Sequence, residues 1–297
     1  MRKASPDNCH IHWGAYLFLL PNFIGFLFFI FLPVLASFAL SFLDWNYLAP
    51  PQFIGLTNFK TLLFHDPQFW KYVGNTVYLM AGIPINIVLS LVLAILLDRG
   101  GLKGKKFFRT IFFLPTAASG IAVYILWKWI LNPQYGLFNI ILSWFGIHGH
   151  DWLLDSNWSK PSLIIMGVWI SMGGINFLLY LAALQNIPRH LYDAAEIDGA
   201  GGWKKFRNIT WPLIRPTTFF IVIMSVIAGF QGGFAQAYVM TKGGPAGSTT
   251  TIDYYIFNNA YVNFKMGFAS SISWTLFFII FIITLINWKL GKNGIEY

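Results

Sequence analysis

Charge is what this 297-residue chain has least of: Asp, Glu, Lys and Arg make up 10% of it, against 56% hydrophobic residues and 19% aromatics. A soluble domain carries about 25% charged residues. So few cannot cover a globule of this size, which excludes a water-soluble fold and makes lipid the solvent. Cysteine is nearly absent too. Cys9 stands alone, so there is no internal disulfide and no dependence on an oxidising compartment. Complete phosphate-binding glycine loops are missing. Gly104-Lys105 is followed by Lys106 instead of Ser or Thr, and Arg99 stands where such a loop needs glycine. Gly199-Ala200-Gly201 leads to Lys204 with no strand before it. The chain therefore reads as binding no nucleotide and no cofactor of its own. Metal-type residues occur as Cys9-His10-Ile11-His12 and His148-Gly149-His150. Neither group reaches the three or four ligands zinc requires, so no metal is expected.

What is abundant is apolar sequence free of charge. Seven stretches of eighteen or more residues contain no Asp, Glu, Lys or Arg: 8–43, 72–97, 110–127, 129–150, 161–188, 216–241 and 266–288. A membrane-spanning helix needs about 20 apolar residues. The fourth stretch opens with Asn132-Pro133-Gln134-Tyr135-Gly136 and closes with His148-Gly149-His150. Only Leu137 to Ile147 is continuously apolar there, about half the bilayer core, so the stretch is set aside and six spans remain. The run from Trp13 to Leu43 exceeds a signal-peptide apolar region of roughly 7–15 residues and reads as an uncleaved anchor.

Lys and Arg mark the cytoplasmic side of a membrane protein. Arg99, Lys103, Lys105, Lys106 and Arg109 fill one basic loop, and Arg189, Lys204, Lys205, Arg207 and Arg215 fill another. Two spans separate these loops, so both lie inside, and both termini are cytoplasmic. Fourteen of the 20 Lys and Arg then lie inside. Orientation accounts for the positive charge, and no nucleic acid partner is needed. The expected organisation is a cytoplasmic tail 1–13, a first span 14–43, an extracytoplasmic loop 44–71, a core 72–288 of five spans with a cytoplasmic loop 188–216, and a cytoplasmic tail 289–297. Trp45-Asn46-Tyr47, Phe69-Trp70, Trp152 and Trp158 fall outside, where aromatic rings anchor at the headgroup level.

The six spans contain no Asp, Glu, Lys or Arg. Ion-driven carriers and voltage sensors place ionisable groups there, so an autonomous ion-driven carrier is disfavoured, whereas a pathway lined by neutral groups is not. Trp169, Ser171, Gly173, Gly174 and Asn176 interrupt the fourth span, and Gly229, Gln231, Gly232, Gly233 and Gln236 the fifth. Amides in apolar helices must find hydrogen-bond partners. Either other helices supply them, or a neutral polyhydroxylated ligand does, stacked on Trp169, Phe230, Phe234 and Tyr238. The glycines also have a plain use in close helix packing.

The loop after the fourth span reads Pro188 to Pro216 and contains Asp193-Ala194-Ala195-Glu196-Ile197-Asp198-Gly199-Ala200. Leu191, Ala194, Ala195 and Asp198 fall at helical spacing after Pro188, and Gly199 suits a helix stop. Two turns are marginal in water, so a short helix lying along the membrane face and held by a partner is expected.

Here the chain resembles the permease subunits of binding-protein-dependent ABC importers, in the carbohydrate branch that includes maltose-type and glycerol-3-phosphate-type permeases. The family motif is Glu-Ala-Ala, three residues, Gly, nine residues, Ile, one residue, Leu-Pro. Asp193, Ala194, Ala195, Gly199, Ile209 and Pro212 match it in register, while Asp193 replaces the usual Glu and Trp211 the usual Leu. The likeness runs from about residue 70 to 290 and includes Gly243-Gly244-Pro245.

The resemblance implies an all-α membrane protein of six transmembrane helices with the type I ABC importer permease fold, in a bacterial-type inner membrane. It implies a coupling role for Asp193 to Ala200, Ile209 and Pro212. The implied partners are a second homologous permease, two copies of a cytoplasmic ATPase that bind ATP and Mg, an extracytoplasmic solute-binding protein and a sugar or oligosaccharide. A sugar phosphate is less expected, since no cationic side chain lies within the spans. The expected substrate pathway is Trp169, Ser171, Asn176, Phe230, Gln231, Gly233, Phe234, Gln236 and Tyr238. The competing readings are an ATP-independent facilitator, or a membrane enzyme using Asp151, Asp155 or the Asp193–Asp198 acids on a lipid-linked substrate.

Overall fold

The computed structural model describes residues 13–98 and 104–292. Cys9, His10, His12, Arg99 and Lys103 lie outside the described residues. Four helices are long and apolar enough to cross a membrane unbroken: Tyr16–Leu40, Pro67–Asp98, Gly202–Gln231 and Met266–Lys289. Two more spans are bent pairs, Lys105–Ala117 with Gly120–Ile130 at 95° and Ser159–Ser171 with Ile175–Gln185 at 44°. Counting each pair once gives six. The stretch 129–150 forms only the eight-residue helix Leu137–Trp144, about 12 Å long at 1.5 Å per residue.

The bends have local causes. Pro115 sits inside the first half of the third span, and the backbone turns extended at Ala118, with ψ 154°. Proline removes one i to i−4 bond and crowds the preceding turn, so the helix breaks within a few residues. In the fourth span a Cβ on Gly173 would lie 2.0 Å from the Phe112 carbonyl oxygen. The third span therefore crosses the fourth where the latter breaks, a close approach open only to glycine.

The fifth span departs from the expected 216–241. Its helix starts at Gly202 and ends at Gln231, and a separate helix, Phe234–Met240, follows. Gly232 is extended, and Gly233 takes φ +103° with the Thr251 methyl 2.8 Å from where a Cβ would sit. A charge-free run reads straight through such a glycine pair, whereas the backbone does not. At the other end Lys204, Lys205 and Arg207, expected in a loop, ride on the membrane-entering helix.

The segment 44–71, between the first and second spans, carries structure of its own. Leu43–Asp44 pairs antiparallel with Gln52–Phe53, Leu43 opposite Phe53. Asn58 Nδ2 donates to the carbonyls of Ser41 and Leu43 at 3.0 and 2.9 Å. The sixth span starts against this turn, with Gly267 so close that a Cβ would meet the Leu43 carbonyl at 1.9 Å.

Within lipid the transfer of apolar surface drives association weakly, so close packing and interhelical hydrogen bonds hold the bundle. Ala94, Phe177, Tyr180, Ile214 and Ile221 form one buried cluster that joins the second, fourth and fifth spans. Leu62, Phe69, Phe230, Ile252 and Ile272 form another toward the sixth. From Tyr16 to Leu40 the first span is largely exposed.

Candidate functional site

A cavity of about 710 Å³ opens between the second, fourth and fifth spans. Three helical stripes face it: Thr76, Met80, Ile83 and Asn86; Ile164, Gly167 and Ser171; and Met224, Ser225, Ala228 and Gly229. The spacings of three and four residues are those of one helix face. A Cβ on Gly229 would fall 2.9 Å from Met80 Cγ, so this glycine lets the second and fifth spans close up beside the cavity.

A belt of neutral polar groups crosses the cavity wall. Asn86 Nδ2 donates to Ser171 Oγ at 2.8 Å, and Ser171 Oγ donates to the Gly167 carbonyl at 2.6 Å. Asn176 Nδ2 donates to Asn86 Oδ1 at 3.0 Å and to Ser225 Oγ at 3.3 Å. Asn86 is buried and ties the second span to both halves of the fourth, while Asn176 joins the second, fourth and fifth. Nearby, Gln236 Nε2 donates to the Leu163 carbonyl at 2.9 Å. Each of these amides thus donates to at least one interhelical bond, while acceptor oxygens and hydroxyls border the open volume.

Of the nine residues expected along the pathway, Ser171, Asn176, Gly233 and Gln236 line the cavity and the other five do not. Trp169 leans edge-on against Trp127 at 5.6 Å. Phe230 is buried in the cluster toward the sixth span. Gln231 faces a separate cleft with Ser273, Phe277 and Thr284. Phe234 and Tyr238 stack on each other at 5.6 Å and meet Tyr254 and Phe257 outside the cavity. Asn86, Ser225, Thr76 and Thr116, which sequence reasoning passed over, line it. An amide in the charge-free run 72–97 was the available signal for Asn86, and it is the same signal that singled out Asn176.

Between the fourth and fifth spans, helix Arg189–Ile197 begins after an extended Pro188. It ends in a Schellman turn, with the Ala200 N–H on the Ala195 carbonyl at 2.8 Å and the Gly199 N–H on the Glu196 carbonyl at 3.0 Å. Gly199 takes φ +69°, the left-handed geometry this cap needs. Leu191, Tyr192 and Ile209 pack against the buried cluster of the second, fourth and fifth spans. Tyr192 Oη lies 2.8 Å from Thr210 Oγ1, and Lys205 Nζ donates to Glu196 Oε2 at 2.8 Å. That lysine holds the Glu196 carboxyl below the usual carboxylate range. One side of the helix is thereby fixed to the base of the fifth span. The other stays open: Asp193, Ala194, Asp198 and Gly199 are exposed, as are Ile197 at 88% and Trp203 at 71%.

The acids considered for enzyme chemistry do not converge. Asp155 Oδ1 accepts the Asn157 N–H at 2.8 Å in a local turn, far in the chain from Asp193 and Asp198. His150 stacks on Trp158 at 4.9 Å, and no group of three potential metal ligands occurs among the described residues.

Residues 76–288 match the family model described as "Binding-protein-dependent transport system inner membrane component". The chain belongs to this family. It is 35% identical over 301 residues to the probable ABC transporter permease protein YesP of Bacillus subtilis, covering all of this chain and 94% of that protein. It is 34% identical over 286 residues to the lactose transport system permease protein LacF of Rhizobium radiobacter, covering 94% of each. Its fold matches that in a crystal structure of a bacterial ABC transporter involved in the import of the acidic polysaccharide alginate, at 27% identity and a TM-score of 0.85 over 96% of both chains. The fold is that of a type I ABC importer permease, and the chain is a multi-pass membrane protein.

Proposed function

We propose that this permease is one half of a heterodimeric pathway that imports a sugar or oligosaccharide. A related second permease supplies the other half, an extracytoplasmic binding protein delivers the substrate, and two cytoplasmic ATPase subunits hold ATP and Mg. The observation that carries this reading is the helix Arg189–Ile197, anchored on one side and bare on the other. An apolar Ile197 exposed to 88% beside exposed small and acidic residues is poor design for a surface that meets only water. It suits a groove on a partner. The names of LacF and of the alginate importer support a carbohydrate substrate, and the neutral belt of Asn86, Ser171, Asn176 and Ser225 suits hydroxyl-rich ligands.

Coupling then has a simple physical form. The permease alternates between inward- and outward-facing states, and the docked helix biases which is populated. Tyr192 and Glu196 connect that helix to Thr210 and Lys205 on the helix that becomes the fifth span, whose upper turns line the cavity. A push on one end reaches the other through a single continuous element.

The test is affinity purification of the tagged chain from its native membrane in mild detergent, with mass spectrometry of co-purifying proteins and an ATPase assay. The expected result is recovery of a second permease and an ATPase, both lost on deleting Asp193 to Gly199. A monodisperse chain that transports sugar alone in vesicles would overturn the proposal in favour of a facilitator.

A further inference from the structure

Beyond the cavity-lining Thr76 and Ile164, the second and fourth spans carry two lysines, Lys71 and Lys160. Lys160 lies one turn above Ile164 on the stripe that continues through Gly167 and Ser171 along the cavity wall. Its ammonium sits 5.1 Å from the centre of the Tyr78 ring and so bridges the fourth and second spans. Lys71, on the second span, donates from Nζ to the Ala246 carbonyl at 2.7 Å. Two residues on, Ser248 places its hydroxyl 3.3 Å from that of Ser159, so the loop 246–248 spans the same two helices. The two ammonium groups are within electrostatic range of each other.

Among the described residues neither has a carboxylate within salt-bridge distance, the one ion pair there being Lys205 with Glu196. Asp66 and Asp253, the acids of the flanking segments, pair with neither lysine. Asp66 accepts from Tyr255 Oη and from the Gln68 N–H. Asp253 is raised to about 6 by burial alone, with no cation contributing. Two cations on facing helices, Lys71 held by a carbonyl and Lys160 by an aromatic face and neither by a counter-ion, leave a position where an anion is favoured.

We propose that Lys71 and Lys160 form an anion-receiving site at the extracytoplasmic mouth, so that the imported carbohydrate carries a carboxylate or phosphate. The charged group meets the lysines while the hydroxyl-bearing remainder meets the neutral belt below. The inference rests on the sugar-import reading and narrows it.

Two measurements test it on the assembled complex of both permeases, ATPase and binding protein. The first is lysine acetylation footprinting in nanodiscs read by mass spectrometry, with an oligogalacturonate as the carboxylate probe, a sugar phosphate as the phosphate probe and maltotriose as the neutral control. Lys71 and Lys160 should be protected about tenfold by at least one of the anionic probes and not by maltotriose, with Lys128 unchanged throughout. Which probe protects assigns the anion. Protection equal with all three, or present without any sugar in nanodiscs and lost in detergent, would assign the lysines to general shielding or to lipid phosphate and overturn the site. The second is ATP-driven uptake of the protecting probe. Lys160→Gln and Lys71→Gln should each raise KM about tenfold with little change in kcat, and Lys160→Arg should restore it. Robust maltotriose uptake indifferent to both substitutions, without uptake of either anionic probe, would overturn the anion site and leave sugar import standing. Absence of ATP-driven uptake of all three saccharides by a fully assembled complex would overturn sugar import and this inference with it.

Discussion

The helix Arg189–Ile197 and the membrane cavity are both built around short polar segments, yet the two spend their polar groups in opposite ways. In the cavity wall the amide hydrogens are consumed by neighbours, as Asn176 is by Asn86 and Ser225. On the helix Arg189–Ile197, side-chain bonds tie down Tyr192 and Glu196 and Leu191 packs inward, while the opposite face points outward. In lipid an unpaired amide costs several kcal/mol, so internal satisfaction comes first and ligand binding takes what is left. At the water-facing surface nothing enforces that order, and residues are free to await a partner.

The comparison can be broken at either end. The largest effect is expected from Gly173→Leu, because its Cβ would fall 2.0 Å from a backbone carbonyl that cannot swing away. A loss above about 4 kcal/mol is expected, seen as failure to recover monodisperse protein after detergent extraction. Recovery at wild-type yield would show that the third and fourth spans do not cross as described. Next is Gly199→Val. Nothing lies within 4 Å of its Cβ position, but φ is +69°, so the intrinsic cost is about 1–2 kcal/mol of backbone strain. Membrane insertion should survive while ATP-coupled uptake is lost. Uptake that persists would remove the docking role of the helix.

Asn86→Leu sharpens the contrast from the cavity side. It deletes the donor to Ser171 and the acceptor for Asn176, and should lower thermal stability by about 1–2 kcal/mol without altering co-purification of partners. An equal drop from Ser225→Ala, which removes only the longer bond, would mean that Asn86 is not the hub of the belt. The smallest effect lies outside both regions. Burial raises Asp253 to about 6 from 3.8, so its folded carboxyl holds a proton the unfolded chain has released. The associated stability is full below about 4 and lost as pH rises through about 6. Asp253→Asn should therefore be more stable than wild type at pH 8 by about 1 kcal/mol, after allowance for partial exposure, and equal to it near pH 3.5. Melting curves at the two pH values check this.

Much of the architecture follows from charge. Counting runs without Asp, Glu, Lys or Arg leads to six spans, and the turn residues around 132–136 remove the seventh. The breaks are harder. Pro115, Gly173-Gly174 and Gly232-Gly233 are visible as breakers, but whether a helix bends, by 44° or by 95°, depends on what packs beside it. The cytoplasmic helix was legible because capping chemistry is local: Pro188 and Gly199 set its limits within one turn. The cavity was legible only in part. Choosing among residues 228 to 238 requires the phase of the helix, and Ala228, Gly229 and Gly232 face inward while Phe230 and Gln231 turn away. Asn86 and Asn176 meet across 90 residues, a pairing that no local pattern contains.

In the proposed coupling, motion of the helix Arg189–Ile197 reaches the cavity through the fifth span. The most direct test replaces Cys9 with Ser, introduces Ala228→Cys on the cavity wall, and measures its labelling by a membrane-impermeant maleimide from the extracytoplasmic side in the reconstituted complex. Trapping the ATPase with ATP and vanadate should change the labelling rate at least fivefold with the native loop and leave it unchanged in the Gly199→Val background. A nucleotide-dependent change of the same size in both backgrounds would contradict the account.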